Sequence, residues 1–159
     1  MALPTDTFEP DLIVTSADST EVVLVVEAKL RIGDMSSTER QLKAYMTGMQ
    51  CPLGILITPQ RLRVYHDSYT SFSEESIALV GDVTVSGVLA CDPGERKPPS
   101  GPRAALEFER SVQAWLAGLT DNNKVQSLPP EVGAVVQQYL APALAQGEVR
   151  AAGPRKREF

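Results

Sequence analysis

One stretch, residues 22–29, constrains the fold of this chain more than any other. It has five consecutive apolar residues followed by Glu27, Ala28 and Lys29. A continuous Val/Leu run is typical of a strand that is covered on both faces in the middle of a sheet. Because side chains alternate along a strand, Glu27 and Lys29 share one face and Ala28 points to the other. Charges at the end of a buried strand require pairing, solvation or a bound metal, since burying an unpaired charge costs several kcal/mol.

A second apolar stretch precedes this one and is predicted to pair with it. Residues 10–14 read Pro-Asp-Leu-Ile-Val, and the turn-like residues 16–20 connect the two, which predicts an antiparallel hairpin. If the turn centres on Ser19, Asp11 lies directly opposite Glu27, with Cβ atoms about 4.5–5.5 Å apart. A register shifted by one residue would put the two carboxylates on opposite faces. In the first register Asp11, Glu27 and Lys29 form one cluster, and a hard cation such as Mg²⁺ would relieve the repulsion between the carboxylates.

This arrangement resembles the PD-(D/E)xK nuclease superfamily. The residues that carry the resemblance are Pro10-Asp11, Glu27-x-Lys29 and, on a following predicted helix, Gln41-x-x-x-Tyr45. More narrowly, residues 41–46, 54–58 and 61–65 are similar to the N-terminal nuclease domain of type I restriction-enzyme motor subunits. The resemblance covers roughly residues 8–67. It implies an α/β fold, a restriction-endonuclease-like mixed β-sheet core flanked by helices, to which this chain adds a C-terminal helical pair.

The resemblance also implies an activity, a cofactor and a set of site residues. It implies a Mg²⁺-dependent nuclease, with Mn²⁺ able to substitute, that hydrolyses phosphodiester bonds in DNA during restriction, defence or DNA processing. Asp11, Glu27 and the backbone carbonyl of Ala28 would hold the metal, and Lys29 would orient a water or stabilise negative charge. Gln41 would point at the same site, although a plain surface glutamine needs no partner. Cationic side chains that would contact nucleic acid are Arg31, Arg40, Lys43 and Arg61.

The resemblance leaves a gap at the start of the chain. The family usually places a helix and a strand ahead of the Pro-Asp strand, and that helix often contributes an acidic residue to the site. The ten residues before Asp11 are too few for both elements. Either the fold is trimmed or a later segment takes their place. A helix predicted over residues 103–119 could do so and bring Glu107 or Glu109 towards the metal; the simpler expectation is that both glutamates face solvent.

The remaining elements follow from periodicity and from turn residues. Residues 1–90 are predicted to form the nuclease-like core, with a helix over about 37–48 that starts at a capping box, Ser36-x-x-Glu39. The strand that follows at 53–58 should run parallel to the Glu27 strand. Residues 91–102 form a Pro/Gly-rich linker. Residues 103–147 hold two helices, over 103–119 and about 130–146, which pack on the core or on a partner subunit, and 148–159 form a basic flexible tail.

Composition limits the class of protein and its partners. The chain has 159 residues, 43% of them hydrophobic and 22% charged, as in an ordinary globular domain. It shows no signal-like or membrane-spanning stretch and no cysteine motif, so we expect a cytoplasmic protein without a membrane partner. The net charge is −5, and residues 1–90 hold six Lys/Arg against twelve Asp/Glu. This balance argues against tight autonomous DNA binding and for a homodimer or a subunit of a larger complex.

Two other interpretations remain open from the sequence. The acidic balance and the missing leading elements favour a catalytically inert module on the same fold, used for assembly or nucleic-acid binding. The third interpretation is purely structural: Glu27 and Lys29 form an ion pair at the solvent edge and Asp11 caps a turn. That interpretation predicts that Asp11 does not cluster with Glu27.

Overall fold

The computed structural model describes residues 10–16, 18, 21–69, 74–86, 88–89, 101–145 and 147–151. These residues form one mixed sheet with helices on its faces, which confirms the predicted mixed α/β class. The strands in chain order are β1 Leu12–Ser16, β2 Val22–Ala28, β3 Leu53–Ile57, β4 Arg61–Asp67, β5 Ile77–Thr84 and β6 Gly147–Ala151. Across the sheet their order is β5-β4-β3-β2-β1-β6. In these segments no helix has the length and apolar character needed to cross a membrane.

The centre of the sheet has the predicted connectivity. β1 and β2 form an antiparallel hairpin in which Leu12 lies opposite Val26. β2 then runs parallel to β3, with Glu27 opposite Leu56, and helix α1, Met35–Met49, connects the two strands. β3, β4 and β5 continue as an antiparallel meander. The prediction of a hairpin followed by a parallel crossover is therefore confirmed.

Helix α1 begins and ends at residues other than those predicted. Asp34 is the N-cap, and its Oδ1 accepts a hydrogen bond from the Ser37 amide at 3.4 Å. The predicted capping box at Ser36 is wrong, because the Glu39 carboxylate is bound to side chains of β4 instead. The helix ends at Gln50, whose φ of 54° is left-handed, rather than at Gly48.

The C-terminal half contributes helices and one strand. The helices are α2 Gly101–Gly118, α3 Asn122–Gln126, α4 Pro130–Val135, a π-helical segment Val136–Leu140, and α5 Ala141–Leu144. The second helix, predicted over 130–146, thus changes from α-helical to the wider π-helical geometry just ahead of Pro142. Proline has no N–H to continue the α-helical pattern, and the amide of Ala141 instead reaches back to the carbonyl of Val136.

Helices cover both faces of the sheet, which explains the continuous apolar runs of β2 and β3. On one face, Leu42, Tyr45 and Met46 of α1 belong to a buried cluster that includes Val25. On the other face the C-terminal helices form the larger cluster with Leu24 and Val26, and their buried residues include Phe108, Val112, Leu116, Val132, Val136 and Leu140. The C-terminal helices therefore pack on the sheet of their own chain.

The end of the chain corrects one predicted boundary. Residues 148–159 were predicted to form a flexible tail, but Gly147–Ala151 forms β6, an edge strand paired antiparallel with β1. The prediction is wrong for 148–151 because β1 offers an unoccupied strand edge, and residues 152–159 lie outside the described ones. A Cβ at Gly147 would stand 1.5 Å from the carbonyl oxygen of Thr15, so this pairing needs glycine. The predicted linker ends at 100, since α2 begins at Gly101, and residues 91–100 also lie outside the described ones.

Candidate active site

The hairpin holds Asp11 at the end of β2. The pairing of Leu12 with Val26 puts Asp11 opposite Glu27 at the next position, which is the predicted register. The Asp11 amide donates a hydrogen bond to the carbonyl of Val26 at 3.1 Å. Its carboxylate Oδ2 accepts one from the Ala28 amide at 2.9 Å. Backbone groups of β2 on both sides of Glu27 therefore bind the amide and the carboxylate of Asp11.

Lys29 brings a positive charge between the two carboxylates. Its Nζ lies 3.5 Å from Asp11 Oδ2 and 3.6 Å from Glu27 Oε1. The Lys29 amide donates to the carbonyl of Ile57 at 3.0 Å, which anchors its backbone to β3. The three residues predicted from the motif thus converge. The structural interpretation, in which Asp11 and Glu27 do not cluster and Asp11 caps a turn, is wrong.

Burial makes the cluster electrostatically unusual. Glu27 is only 2% exposed, and among the described residues its Oε1 has no hydrogen-bond partner. Burial and then the negative charge of Asp11 raise the pKa of Glu27 to about 8. Burial alone would lower the pKa of Lys29, but the charges of Asp11 and Glu27 raise it above its ordinary value. Without a further cation, Glu27 therefore holds a proton over much of the neutral range.

A cavity of about 630 Å³ lies beside the cluster. Asp11, Lys29 and Arg31 line one side of it, and the first turns of α2 line the other side. Glu109 of α2 also lines it and is 8% exposed. Glu107 is exposed on the same helix, so Glu109 is the member of the predicted pair that reaches the cavity.

The donor set fits a hard divalent cation. Within the described segments, no three side chains of His, Cys, Asp or Glu form a group that could hold a metal. The Asp11 and Glu27 carboxylates nevertheless supply oxygen ligands, and Mg²⁺ commonly uses one or two carboxylates while keeping several waters. The buried Glu27 Oε1 without a hydrogen bond fits such an ion, and the Lys29 ammonium already marks the spot where positive charge is favoured.

Of Gln41, Arg31 and Arg40, Arg31 is the one that lines the cavity. Gln41 is half-buried on α1 and does not line the cavity. Arg31 is exposed and does line it, and its contact with a phosphate stays a prediction. Arg40 is exposed on α1 and is not part of the cavity wall.

The remaining two predicted cations have partners within the fold. Lys43 Nζ lies 5.9 Å from the centroid of the Tyr65 ring. Arg61 Nε lies 2.7 Å from Asp82 Oδ1 on β5. These contacts, rather than the cavity, account for their positions.

Sequence reasoning missed one part of the site, the start of α2. Gly101 and Pro102 line the cavity, and Gly101 has a φ of 91°. Glycine followed by proline does signal the start of a helix. The sequence predicts an approach of this helix to the site through Glu107 or Glu109, but it assigns Gly101 and Pro102 to the linker and gives no signal that they lie beside Lys29, about seventy residues earlier in the chain.

Comparison with known proteins finds no matching family model, no matching curated protein and no matching solved structure. The resemblance to PD-(D/E)xK nucleases therefore stays a prediction made from the motif residues.

Proposed function

We propose that this chain is a Mg²⁺-dependent nuclease that hydrolyses phosphodiester bonds in DNA. The observation that carries the proposal is the convergence of the Asp11 and Glu27 carboxylates on one ammonium, at 3.5 and 3.6 Å, beside a cavity. A carboxylate that is buried and shifted in pKa is costly to the fold. Such groups occur most often where chemistry uses them.

Each residue of the cluster has a distinct role in this proposal. Asp11, Glu27 and the Ala28 carbonyl would hold the ion, which when bound lowers the pKa of a water and offsets charge on the phosphate. Lys29 is 40% exposed and lines the cavity, so its ammonium can donate to the attacking water or to a phosphate oxygen. Glu109 adds a carboxylate to the opposite wall, where it would accept hydrogen bonds from waters around the ion.

Two features of the cavity suit a phosphate. Arg31 is exposed on one side and supplies a cation able to pair with a phosphate oxygen. The start of α2 forms the other side, and the positive end of an 18-residue helix favours an anion there. The acidic balance of residues 1–90 weakens non-specific attraction to DNA, so the proposal includes a second copy or a partner subunit that adds contacts.

The test is cleavage of linear, circular and branched DNA by the purified chain, with and without Mg²⁺. We expect Mg²⁺-dependent cleavage, abolished in Asp11→Ala and in Lys29→Ala. Exposed residues outside the site supply matched controls, Asp18→Asn and Lys124→Ala, which should keep full activity. Circular dichroism checks that each variant is folded. Full activity in either site variant would contradict the proposal.

One observation favours the second candidate, an inert module on this fold. With Glu27 protonated, the Lys29 ammonium balances the Asp11 carboxylate, so the cluster is neutral without a metal. A calorimetric titration with Mg²⁺ and Mn²⁺ separates the two candidates. Binding that is lost in Glu27→Gln supports the nuclease, and no binding of either ion supports the inert module.

A further inference from the structure

A second cavity, of about 770 Å³, lies at the far end of the sheet from Glu27. Its walls include Val22 at the start of β2, Leu53 at the start of β3 and His66 near the end of β4. With a rise of about 3.3 Å per residue, the length of β2 puts it roughly 20 Å from the Asp11 cluster. Its volume lies within the roughly 300–1,000 Å³ of pockets that hold small organic molecules. It is therefore separate from the proposed nuclease site.

Three aromatic side chains, His66, Tyr69 and Tyr139, line this cavity. Tyr69 and Tyr139 both line it, and Tyr69 is 55% exposed. The rings of Tyr139 and His66 stand with their centroids 6.3 Å apart and their planes at 45°. Met49, 39% exposed, adds a polarizable side chain to the same wall. Exposed aromatic faces around a cavity suit a planar ring that stacks on them.

Tyr69 is held in place before any ligand arrives. Its amide donates a hydrogen bond to Asp67 Oδ1 at 2.8 Å, and its hydroxyl donates to the carbonyl of Gln50 at 3.2 Å. Tyr69 and Gln50 have φ values of 60° and 54°, and they are the two non-glycine residues with positive φ in the described segments. Both line the cavity. Gln50 takes this conformation as the C-cap of α1, so the Tyr69 backbone is the strained one, and such strain clusters at ligand-binding sites.

The opposite wall comes from the π-helical segment Val136–Leu140. It contributes Gln138 and Tyr139, and Gln138 Nε2 donates to the Tyr139 hydroxyl at 3.2 Å. Segments of this type are frequent at functional sites. The Gln138 amide offers both donor and acceptor groups, which is what the edge of a nucleobase requires.

The charge of the lining disfavours a phosphate, because His66 is the one residue of the described lining whose side chain can carry positive charge. Among the described residues that line the cavity, Glu21 is the one acidic side chain and none is Lys or Arg. A phosphate would meet repulsion from Glu21 without a compensating guanidinium or ammonium. An uncharged aromatic ring meets no such cost.

We propose that this cavity binds an uncharged heteroaromatic ring of nucleobase size. The ring is either that of a free nucleoside or an unpaired base of a single strand. Tyr69 and Tyr139 stack on its faces, and Gln138 hydrogen-bonds its edge. The proposal does not depend on the nuclease activity, because it rests on different residues.

The test measures binding to the full chain in EDTA by calorimetry and by saturation-transfer NMR. The probes are the four deoxynucleosides, their 5′-monophosphates and a short single-stranded oligonucleotide. We expect the nucleosides to bind more tightly than the monophosphates. We expect Tyr139→Leu and Gln138→Ala to weaken binding about five- to hundredfold, and Leu79→Ala, an exposed change on β5, to leave it unchanged. Tighter binding of the oligonucleotide identifies an unpaired base as the source, and tighter binding of a nucleoside identifies the free compound.

Three results would overturn the proposal. They are no binding of any nucleoside at millimolar concentration, equal binding by the Gln138→Ala variant, or a preference for tetramethylammonium over every nucleoside. Gln138 is exposed, so Gln138→Ala decides the matter even if Tyr139→Leu does not fold. Since the assay contains no metal and follows no cleavage, its failure is distinct from a failure of the proposed nuclease.

Discussion

Oε1 of Glu27 lies 3.6 Å from Nζ of Lys29, a separation too long for a hydrogen bond. Among the described residues this buried oxygen therefore has the ammonium as a nearby charge but no hydrogen bond. Asp11 has more compensation for its charge, because its Oδ2 accepts a hydrogen bond from the Ala28 amide in addition to the ion pair with Lys29. Because Glu27 has less compensation for its charge than Asp11, it is the carboxyl group whose protonation sets the charge of the cluster near neutral pH.

The stability of the metal-free chain should fall as the pH rises. Glu27 has a pKa of about 8 in the folded chain against an ordinary value of 4.5, so its contribution is fully present below about pH 4.5 and is lost as the pH rises through about 8. The loss should approach about 1.4 kcal/mol per pH unit within that window. Urea unfolding at pH 5, 6, 7 and 8 in EDTA measures it.

The Glu27→Gln variant should show a flatter dependence of stability on pH, because glutamine does not ionise. Glu107→Gln, an exposed glutamate of α2, is the matched control and should keep the wild-type dependence. Equal slopes in the wild type and in Glu27→Gln would assign the effect to another group.

Mg²⁺ binding should release a proton near neutral pH. Since the pKa of Glu27 is about 8, the metal-free site is mostly protonated at pH 7, and a cation must displace that proton. Calorimetric titration in two buffers of different ionisation enthalpy should report about one proton released, and affinity should rise up to about tenfold per pH unit below pH 8. A heat of binding that is the same in both buffers would contradict the role of Glu27.

The register of the hairpin could be predicted because the two faces of β1 differ in burial: Leu12 and Val14 are fully buried, whereas Ile13 is half-buried. A shift by one residue would have turned Leu12 and Val14 out of the core. The N-cap of α1, in contrast, could not be predicted from the local sequence pattern. Glu39 has the right spacing from Ser36, but partners on β4, more than twenty residues away in the chain, take its carboxylate. A local sequence pattern carries no information about side chains of β4 that compete with the capping box for the Glu39 carboxylate.

Strand β6 likewise could not be predicted from its own residues, because it depends on pairing with β1. Its residues are few and partly charged, and their own β-propensity is weak. The strand exists because the outer edge of β1 presents unpaired backbone groups. The position of Glu109 has the same origin, since the packing of α2, which contacts β6 and β2, brings it to the cavity.

The substitution Gly147→Ala should detach or distort β6. The added Cβ would stand 1.5 Å from the carbonyl oxygen of Thr15, a backbone atom that cannot rotate away. We expect a loss of about 1–3 kcal/mol or more in the free energy of unfolding, and faster amide hydrogen exchange along β6 and β1.

Gly48 of α1 is the control position for Gly147. A Cβ at Gly48 meets nothing within 4 Å, and Gly48 lies inside the helix. Gly48→Ala should therefore stabilise the chain by about 0.5–1 kcal/mol. Wild-type stability in Gly147→Ala would show that β6 can pair in another geometry.

Glu39 should couple energetically to Tyr65. Glu39 Oε2 accepts hydrogen bonds from the Tyr65 hydroxyl at 2.5 Å and from Arg63 Nη1 at 2.8 Å, which ties α1 to β4. Tyr65→Phe keeps the ring and removes one hydrogen bond, so it should cost about 1–2 kcal/mol. A double-mutant cycle with Glu39→Gln should give a coupling of at least about 0.5 kcal/mol. Glu75→Gln, an exposed glutamate, replaces Glu39→Gln in the control cycle, which should give none.

The substitution Lys29→Met should separate metal binding from catalysis. The ammonium lies within 3.6 Å of both carboxylates, so it repels a cation that uses the same oxygens. Its removal should raise the affinity for Mg²⁺, by roughly tenfold if the lost repulsion is about 1.4 kcal/mol. It should nevertheless abolish DNA cleavage, because the donor to the attacking water or the phosphate is gone.

Calorimetry and a cleavage assay on the same preparation measure the two effects of Lys29→Met. Lys124→Met, on exposed α3, should change neither quantity. Weaker Mg²⁺ binding in Lys29→Met would mean that the ammonium helps to hold the carboxylates in position for the ion, and retained cleavage would remove Lys29 from the chemistry.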